Sequence, residues 1–267
     1  MRRPDKGSAG PADAPHFEKV KQVKTYILPS LLASVVLVAG CGGGGGGSSP
    51  SPNPSSVPSP SPAPASVYDA QVAWTRLLST TRSWSVAGRA SDGQDYQLTL
   101  AVEPGGSAIF PVTGASALKS NFRNRVVQVS SQVVQDVLNE QFIDGGFRLL
   151  GSRVTADGGS PSCSKTDVIA AVPPSGSAPG SNGPLYAATS LSDCTPGASS
   201  LGKSYHTWSV LADGGTVFLC VASSNRFIGE TSDRISETCV ETDAAGNLGQ
   251  RARITLTLPG FSVVATN

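Results

Sequence analysis

From Trp84 onward, apolar residues recur at every second position, and this alternation restricts the fold more than any other feature of the chain. Trp84, Val86, Gly88 and Ala90 alternate with Ser85, Ala87 and Arg89, and Tyr96, Leu98, Leu100 and Val102 alternate with Gln97, Thr99 and Ala101. Successive side chains of an extended backbone point to opposite faces, so each run predicts a strand with one buried face. Asp92-Gly93, Pro104-Gly105-Gly106 and Asp213-Gly214-Gly215 supply turn chemistry between runs. Further strands are expected near 108–112, 147–153, 168–172, 185–190, 205–211, 216–222, 236–242 and 252–258. In Arg125 to Phe142, Val126, Val129, Val133, Val134, Val137 and Leu138 would share a helical face, but their β-branching favours a bent strand. The exception to the pattern lies at 67–80. There Val67, Ala70, Trp74, Leu77 and Leu78 fall on one helical face, with Ser66 as the expected cap and Asp69 in the first turn. The expectation is a mainly β domain over 67–267, an antiparallel sandwich or barrel-like body with one short N-terminal helix. It is read either as one unit or as two β subdomains divided near 155. Trp84-Ser85-Val86 is echoed by Trp208-Ser209-Val210, a resemblance no stronger than chance allows.

Charge excludes several partners. The whole chain carries 20 Lys+Arg and 19 Asp+Glu; the leader to Gly40 holds six of the basic and three of the acidic residues, which leaves the remainder at −2. Scattered, nearly balanced charge gives no footprint for nucleic acid. Of five cysteines, Cys163, Cys194, Cys220 and Cys239 lie in the β region, an even number that suits an oxidising compartment and two disulfides. Three connectivities are open; the sequential one, Cys163–Cys194 and Cys220–Cys239, is favoured because the second pair would join adjacent strands.

The N-terminal part reads differently. Lys19, Lys21 and Lys24 form a basic region, and Ile27 to Gly40 is an apolar segment of about 14 residues, short of the roughly 20 needed to span a bilayer. It ends in Leu37-Val38-Ala39-Gly40-Cys41 and is followed by six glycines, Gly42 to Gly47. This stretch resembles the lipobox of bacterial lipoproteins. The resemblance implies cleavage before Cys41, acylation of the Cys41 thiol and of the new amine, and firm anchoring at ~0.8 kcal/mol per buried methylene. In such proteins an Asp after the cysteine retains the protein at the inner membrane; Gly42 stands there, which implies the outer membrane. The polar stretch Met1 to Phe17 is longer than that family's usual leader, a departure that a start at Val20 or Val23 would remove. The alternatives are an ordinary signal peptide followed by a chance cysteine and an uncleaved short anchor. Ser48 to Ser66 is almost wholly Ser, Pro and Ala, with Pro50, Pro52, Pro54, Pro58, Pro60, Pro62 and Pro64. Its composition predicts a disordered spacer; at about 3.1 Å per residue in extended form it would reach roughly 60 Å. The expected organisation is therefore a signal peptide over 1–40, a lipidated cysteine and linker over 41–66, and a β domain over 67–267. The chain is similar to proteobacterial lipoproteins with Gly/Ser/Pro tethers over about Lys19 to Ser66 only.

Motifs for chemistry are weak. Gly197 to Ser204 matches G-x-x-x-x-G-K-S, but such a loop needs a strand before it and a helix after it, and Tyr205-His206-Thr207-Trp208 reads as a strand. No nucleotide is expected. Ser162/Lys165, Ser116/Lys119 and Ser200/Lys203 fit S-x-x-K without its S-D-N and K-T-G partners. His206 is the only histidine beyond Cys41 and reads as a packed strand residue, while no Cys-x-x-Cys offers a metal centre. Asp92 and Asp95 read as a solvated turn, and Trp74, Trp84 and Trp208 as core rather than a sugar-stacking platform. No catalytic, cofactor or metal residue is assigned. The functional expectation is an outer-membrane lipoprotein presenting a non-catalytic binding module to a protein or glycan. The alternatives are a carboxylate-based cell-wall or carbohydrate-active enzyme and a purely structural envelope role.

Overall fold

A computed structural model describes residues 67–129, 133–169 and 172–267; Cys41, the linker and Ser66 lie outside them. After helix α1 (Ala70–Ser79) the described residues form twelve strands: β1 (Arg82–Arg89), β2 (Asp95–Ile109), β3 (Ser116–Gln128), β4 (Val133–Ile143), β5 (Leu149–Ala156) and β6 (Ser162–Ile169) make the first half. The second half is β7 (Asn182–Leu191), β8 (Ser200–Asp213), β9 (Thr216–Phe227), β10 (Arg234–Thr242), β11 (Leu248–Leu258) and β12 (Phe261–Thr266). Each strand pairs antiparallel with the next, and β1 pairs with β12 to close a barrel. The mainly β expectation with one helix holds, and the architecture is the barrel. β5 runs through position 155 and is hydrogen-bonded on both sides, so the strands of both halves belong to one closed sheet.

The alternation that predicted strands also sets the interior. Trp84, Val86, Leu98, Leu100, Val102, Trp208, Val210, Leu219, Val221, Val240, Ile254 and Leu256 are buried in one cluster. Closure depends on a glycine. A Cβ on Gly88 would lie 2.1 Å from the Val264 oxygen and 2.9 Å from Ala265 Cα, so β12 can approach β1 only where no side chain intervenes.

Helix α1 belongs to the core. Asp69, not Ser66, caps it: the Asp69 carboxylate accepts from Val72 N at 2.9 Å. The chain just before it is tied to one mouth of the barrel. Tyr68 and Ser177, in the β6–β7 loop, exchange backbone hydrogen bonds at 2.8 Å, and Asp69 N donates to Ala244 O in the β10–β11 loop at 3.1 Å. Ala70, Ala73, Trp74, Leu77 and Leu78 are buried in the main cluster, and Trp74 Nε1 donates to Phe147 O at 2.9 Å. The helix therefore stoppers this mouth from within.

Other details differ from the sequence reading. Pro104-Gly105-Gly106 is not a turn: β2 runs through it with a bulge, so no separate strand begins at Ala108. The segment Arg125 to Phe142 is the end of β3 and most of β4, reversed between them, rather than one bent strand. β12 was not foreseen. A second cluster on the outside, Phe110, Val112, Ala117 and Phe142, forms where the tip of the long β2–β3 hairpin folds onto the wall. Cys163 and Leu191 join it. Both disulfides follow the sequential pairing: Cys163–Cys194 ties β6 to the β7–β8 loop, and Cys220–Cys239 links register partners on β9 and β10.

The outer wall carries paired charges. Arg123 pairs with Asp136 at 2.6 Å, buried Glu140 is held between Lys119 and Arg153, and Arg253 meets Glu237 at 3.1 Å. Mid-strand basic residues on a lipid-facing wall cost about 2–4 kcal/mol each. No helix of the described residues is long and apolar enough to cross a membrane.

Two substitutions test this account by urea denaturation. Trp74→Ala should cost about 3–5 kcal/mol, the usual loss for a large buried aromatic. Gly88→Ala should cost about 1–3 kcal/mol through forced separation of the seam. A wild-type midpoint in either variant would contradict the stopper or the seam.

Candidate functional site

The lumen divides into an apolar part around α1 and a polar part beyond it. Register partners put Ser120, Gln141, Ser152, Ser164 and Ser190 in one row across β3 to β7. Tyr186, His206, Ser223 and Ser236 form another across β7 to β10. Ser152 and Ser164 share a hydrogen bond of 2.8 Å. Asn139 Oδ1, Gln141 Oε1 and Ser236 Oγ are buried without a protein partner. A cavity of about 50 Å³ beneath Trp74 and Leu77 is bordered by Asn139, Gln141 and Tyr186, and one of about 160 Å³ towards the far mouth is lined by Ser162, Ser164 and Ser190. Both fall below the 300–1,000 Å³ of ordinary ligand pockets; the smaller suits a few water molecules.

His206 lies in this interior. Its ring stacks on Tyr186 at 3.9 Å between centroids, and Nε2 meets Ser204 Oγ at 3.1 Å. Complete burial pushes its pKa down to about 3 and raises that of Tyr186. An imidazole so reluctant to take a proton is a poor general base at neutral pH.

A wider concavity lies on the outer wall of β8 and β9. A groove of about 510 Å³ has Tyr205 and Ser224, then Lys203 and Arg226, as facing register partners on its floor. The β9–β10 loop forms one side through Ile228, Gly229, Glu230 and Asp233. Tyr205 is 62% exposed and Ile228 76%, the two apolar surfaces of the groove. Its charges are fixed in place. Lys203 Nζ donates to Asp167 Oδ2 at 2.7 Å, and Thr189 Oγ1 donates to the same oxygen at 2.7 Å. Arg226 Nε and Ser224 Oγ each donate to Asp233 at 2.5 Å. Glu230 pairs with Arg234, whose guanidinium sits 4.9 Å over the Phe227 ring. The Ser224 hydrogen bond, aided by Arg226, holds Asp233 below the usual carboxylate range. Partial burial pushes Asp167 up, but the bonds from Lys203 and Thr189 outweigh it and leave it lowered.

Other sequence candidates lie apart. Gly197 is in a loop with φ 93° and Ser200 to Ser204 continue into β8, so no helix follows the phosphate-loop pattern. Ser162 and Lys165 share β6, Ser116 and Lys119 share β3, and Ser200 and Lys203 share β8; none has Ser at a helix start. Trp74, Trp84 and Trp208 are buried. Asp92 accepts from Tyr96 Oη at 2.7 Å and from Gln94 N at 2.9 Å in the β1–β2 turn, while Asp95 pairs in register with Arg89. Glu237 approaches Cys220 and Cys239 closely enough to suggest a metal grouping, but both sulfurs are spent in a disulfide and offer no thiolate. Burial raises the Glu237 carboxyl, with Arg253 opposing. Sequence reasoning missed the groove because its members come from β8, β9 and a loop that only pairing brings together.

No family model matches the chain, and no curated protein or solved structure matches it.

The buried imidazole predicts a pH effect. Its folded pKa lies below its unfolded one, so the unfolded chain binds the extra proton, and stability is lost as pH falls from about 6.5 towards 3. At ~1.36 kcal/mol per unit, about 2 kcal/mol should be gone by about pH 5, above the range in which most carboxylates titrate. His206→Phe, which keeps a ring against Tyr186, should abolish this early loss in urea titrations. An unchanged profile would place the acid sensitivity elsewhere.

Proposed function

We propose that the chain is an envelope lipoprotein, anchored through acylated Cys41, whose barrel is a non-catalytic binding module. The lipobox resemblance and the Gly/Ser/Pro stretch over 42–66 support the anchor and spacer. The barrel adds a direction. The chain reaches α1 at the mouth formed by the β6–β7 and β10–β11 loops, whereas the groove is bounded by the β9–β10 loop at the other end. A module tethered by its stoppered mouth would present the groove away from the membrane. On the same reading the outer membrane is the proposed location.

The observation that carries binding over catalysis is the state of the groove's charges. Lys203, Arg226, Glu230 and Asp233 are each engaged in an ion pair. A carboxylate-based hydrolase needs one carboxyl kept protonated near neutral pH. Asp233 is instead held ionised by Ser224 and Arg226, which suits a fixed acceptor rather than a general acid.

Two results test this reading. Cys41→Ala should leave the barrel folded and disulfide-bonded but move the protein from the membrane to the soluble fraction; continued membrane retention would remove the lipid anchor. A photo-crosslinking residue at position 205 should trap a partner in intact cells, and the same residue at position 264, on a different part of the wall, should not. Equal trapping at both positions would count against the groove as the binding surface.

A further inference from the structure

The groove's ligand class follows from what it offers and what it has already neutralised, an inference that rests on the binding-module reading. The floor of β8 and β9 presents one exposed aromatic ring, Tyr205, beside a row of polar groups that runs across four strands, β6 to β9, and into the β9–β10 loop. Asp167, Thr189, Lys203, Arg226 and Asp233 form this row, and each is held by its neighbours. The apolar surface extends sideways from Tyr205 through its register partner Ala187 to Val168, which is 62% exposed.

The paired charges argue against a strongly ionic ligand. An acidic peptide or nucleotide would meet Lys203 and Arg226 with their charges already balanced by Asp167 and Asp233, and so gain little net attraction. A long apolar peptide is equally ill served, because Tyr205 and Ile228 are the only large apolar side chains exposed in the groove. A pyranose has the complementary composition. Its C–H face covers an aromatic ring, and its hydroxyls both donate and accept. They can add to the free lone pairs of Asp167 and Asp233 and to remaining guanidinium hydrogens without breaking a pair. Holding those groups in place beforehand reduces the ordering cost that weakens a shallow site. The volume of about 510 Å³ exceeds one sugar ring and suits a short oligosaccharide.

We infer that the outer groove of β8 and β9 is a binding site for a neutral glycan, with Tyr205 as the stacking platform and the Asp167–Lys203 and Arg226–Asp233 pairs as the hydroxyl-reading row.

The test uses the full chain in detergent and three neutral probes, cellotetraose, chitotetraose and maltotetraose, followed by isothermal titration and saturation-transfer NMR. At least one probe should bind saturably with Kd below about 1 mM. Tyr205→Ala should weaken that binding about tenfold or more, Tyr205→Phe should retain it, and Val264→Ala, at an exposed apolar position elsewhere, should leave it unchanged. Circular dichroism checks that each variant is folded. Absence of saturable binding by all three probes up to about 10 mM, or wild-type affinity in Tyr205→Ala, overturns the inference. If glycans fail while the position-205 crosslinker traps a protein in cells, the glycan assignment falls and the binding-module reading stands. If both fail, both fall.

Discussion

A closed sheet of twelve strands encloses more space than its own inward side chains fill. Around eight strands, side chains alone suffice; beyond that, a barrel needs a plug, a ligand or water. Here the plug is α1. Ten residues, about 15 Å of helix, bring Trp74, Leu77 and Leu78 into the lumen, and their cluster reaches β1, β2 and β8 to β12. The rest of the architecture depends on this filling. It fixes which mouth is stoppered, where the chain arrives, and how much lumen is left. Closure also removes the exposed sheet edges that would otherwise pair with other chains, and Gly88 is the residue that allows the last seam to form.

The interior is divided in two. Where the helix packs, the wall is apolar; beyond it the wall turns to Ser, Asn, Gln and the single buried His206. The two cavities described in that polar interior, of about 50 and 160 Å³, are smaller than an ordinary ligand pocket. The outer wall is crossed by ion pairs and carries the wider groove on β8 and β9. The groove on β8 and β9 combines an exposed ring with polar groups already bound to one another, and on this combination the proposed binding role rests.

Much of the fold was legible in the sequence because it was local. The alternation around Leu98 and Leu100, the two-glycine turn at Gly214-Gly215, and the helical stripe of Trp74, Leu77 and Leu78 each report on a few adjacent residues, and each appears as read. The failures are also instructive. Pro104-Gly105-Gly106 has strong turn chemistry, yet the pairing with β3 on one side carries the strand through it as a bulge. The valines between Arg125 and Phe142 fit a strand on either side of 129–133 and gave no local sign of the reversal. The helix begins at Ala70, capped by Asp69, where Ala244 and Ser177 hold the preceding backbone, a contact with loops more than a hundred residues away. The groove was illegible for the same reason: nothing in the sequence places Asp167 beside Lys203, or Asp233 beside Ser224.

The sequence by itself determined that the region from 67 is antiparallel β with one amphipathic helix, and that four cysteines are available to bridge it. It also carries the lipobox-like stretch on which the proposed anchoring rests. Only the tertiary structure decided that the sheet closes and that the helix lies inside it. It likewise decided that the serine rows face the lumen and Tyr205 faces out. The physical reason is that a period of two reveals which residues share a face of a strand, while the register and closure that make that face inside or outside are set by hydrogen bonds and packing between residues far apart in the chain.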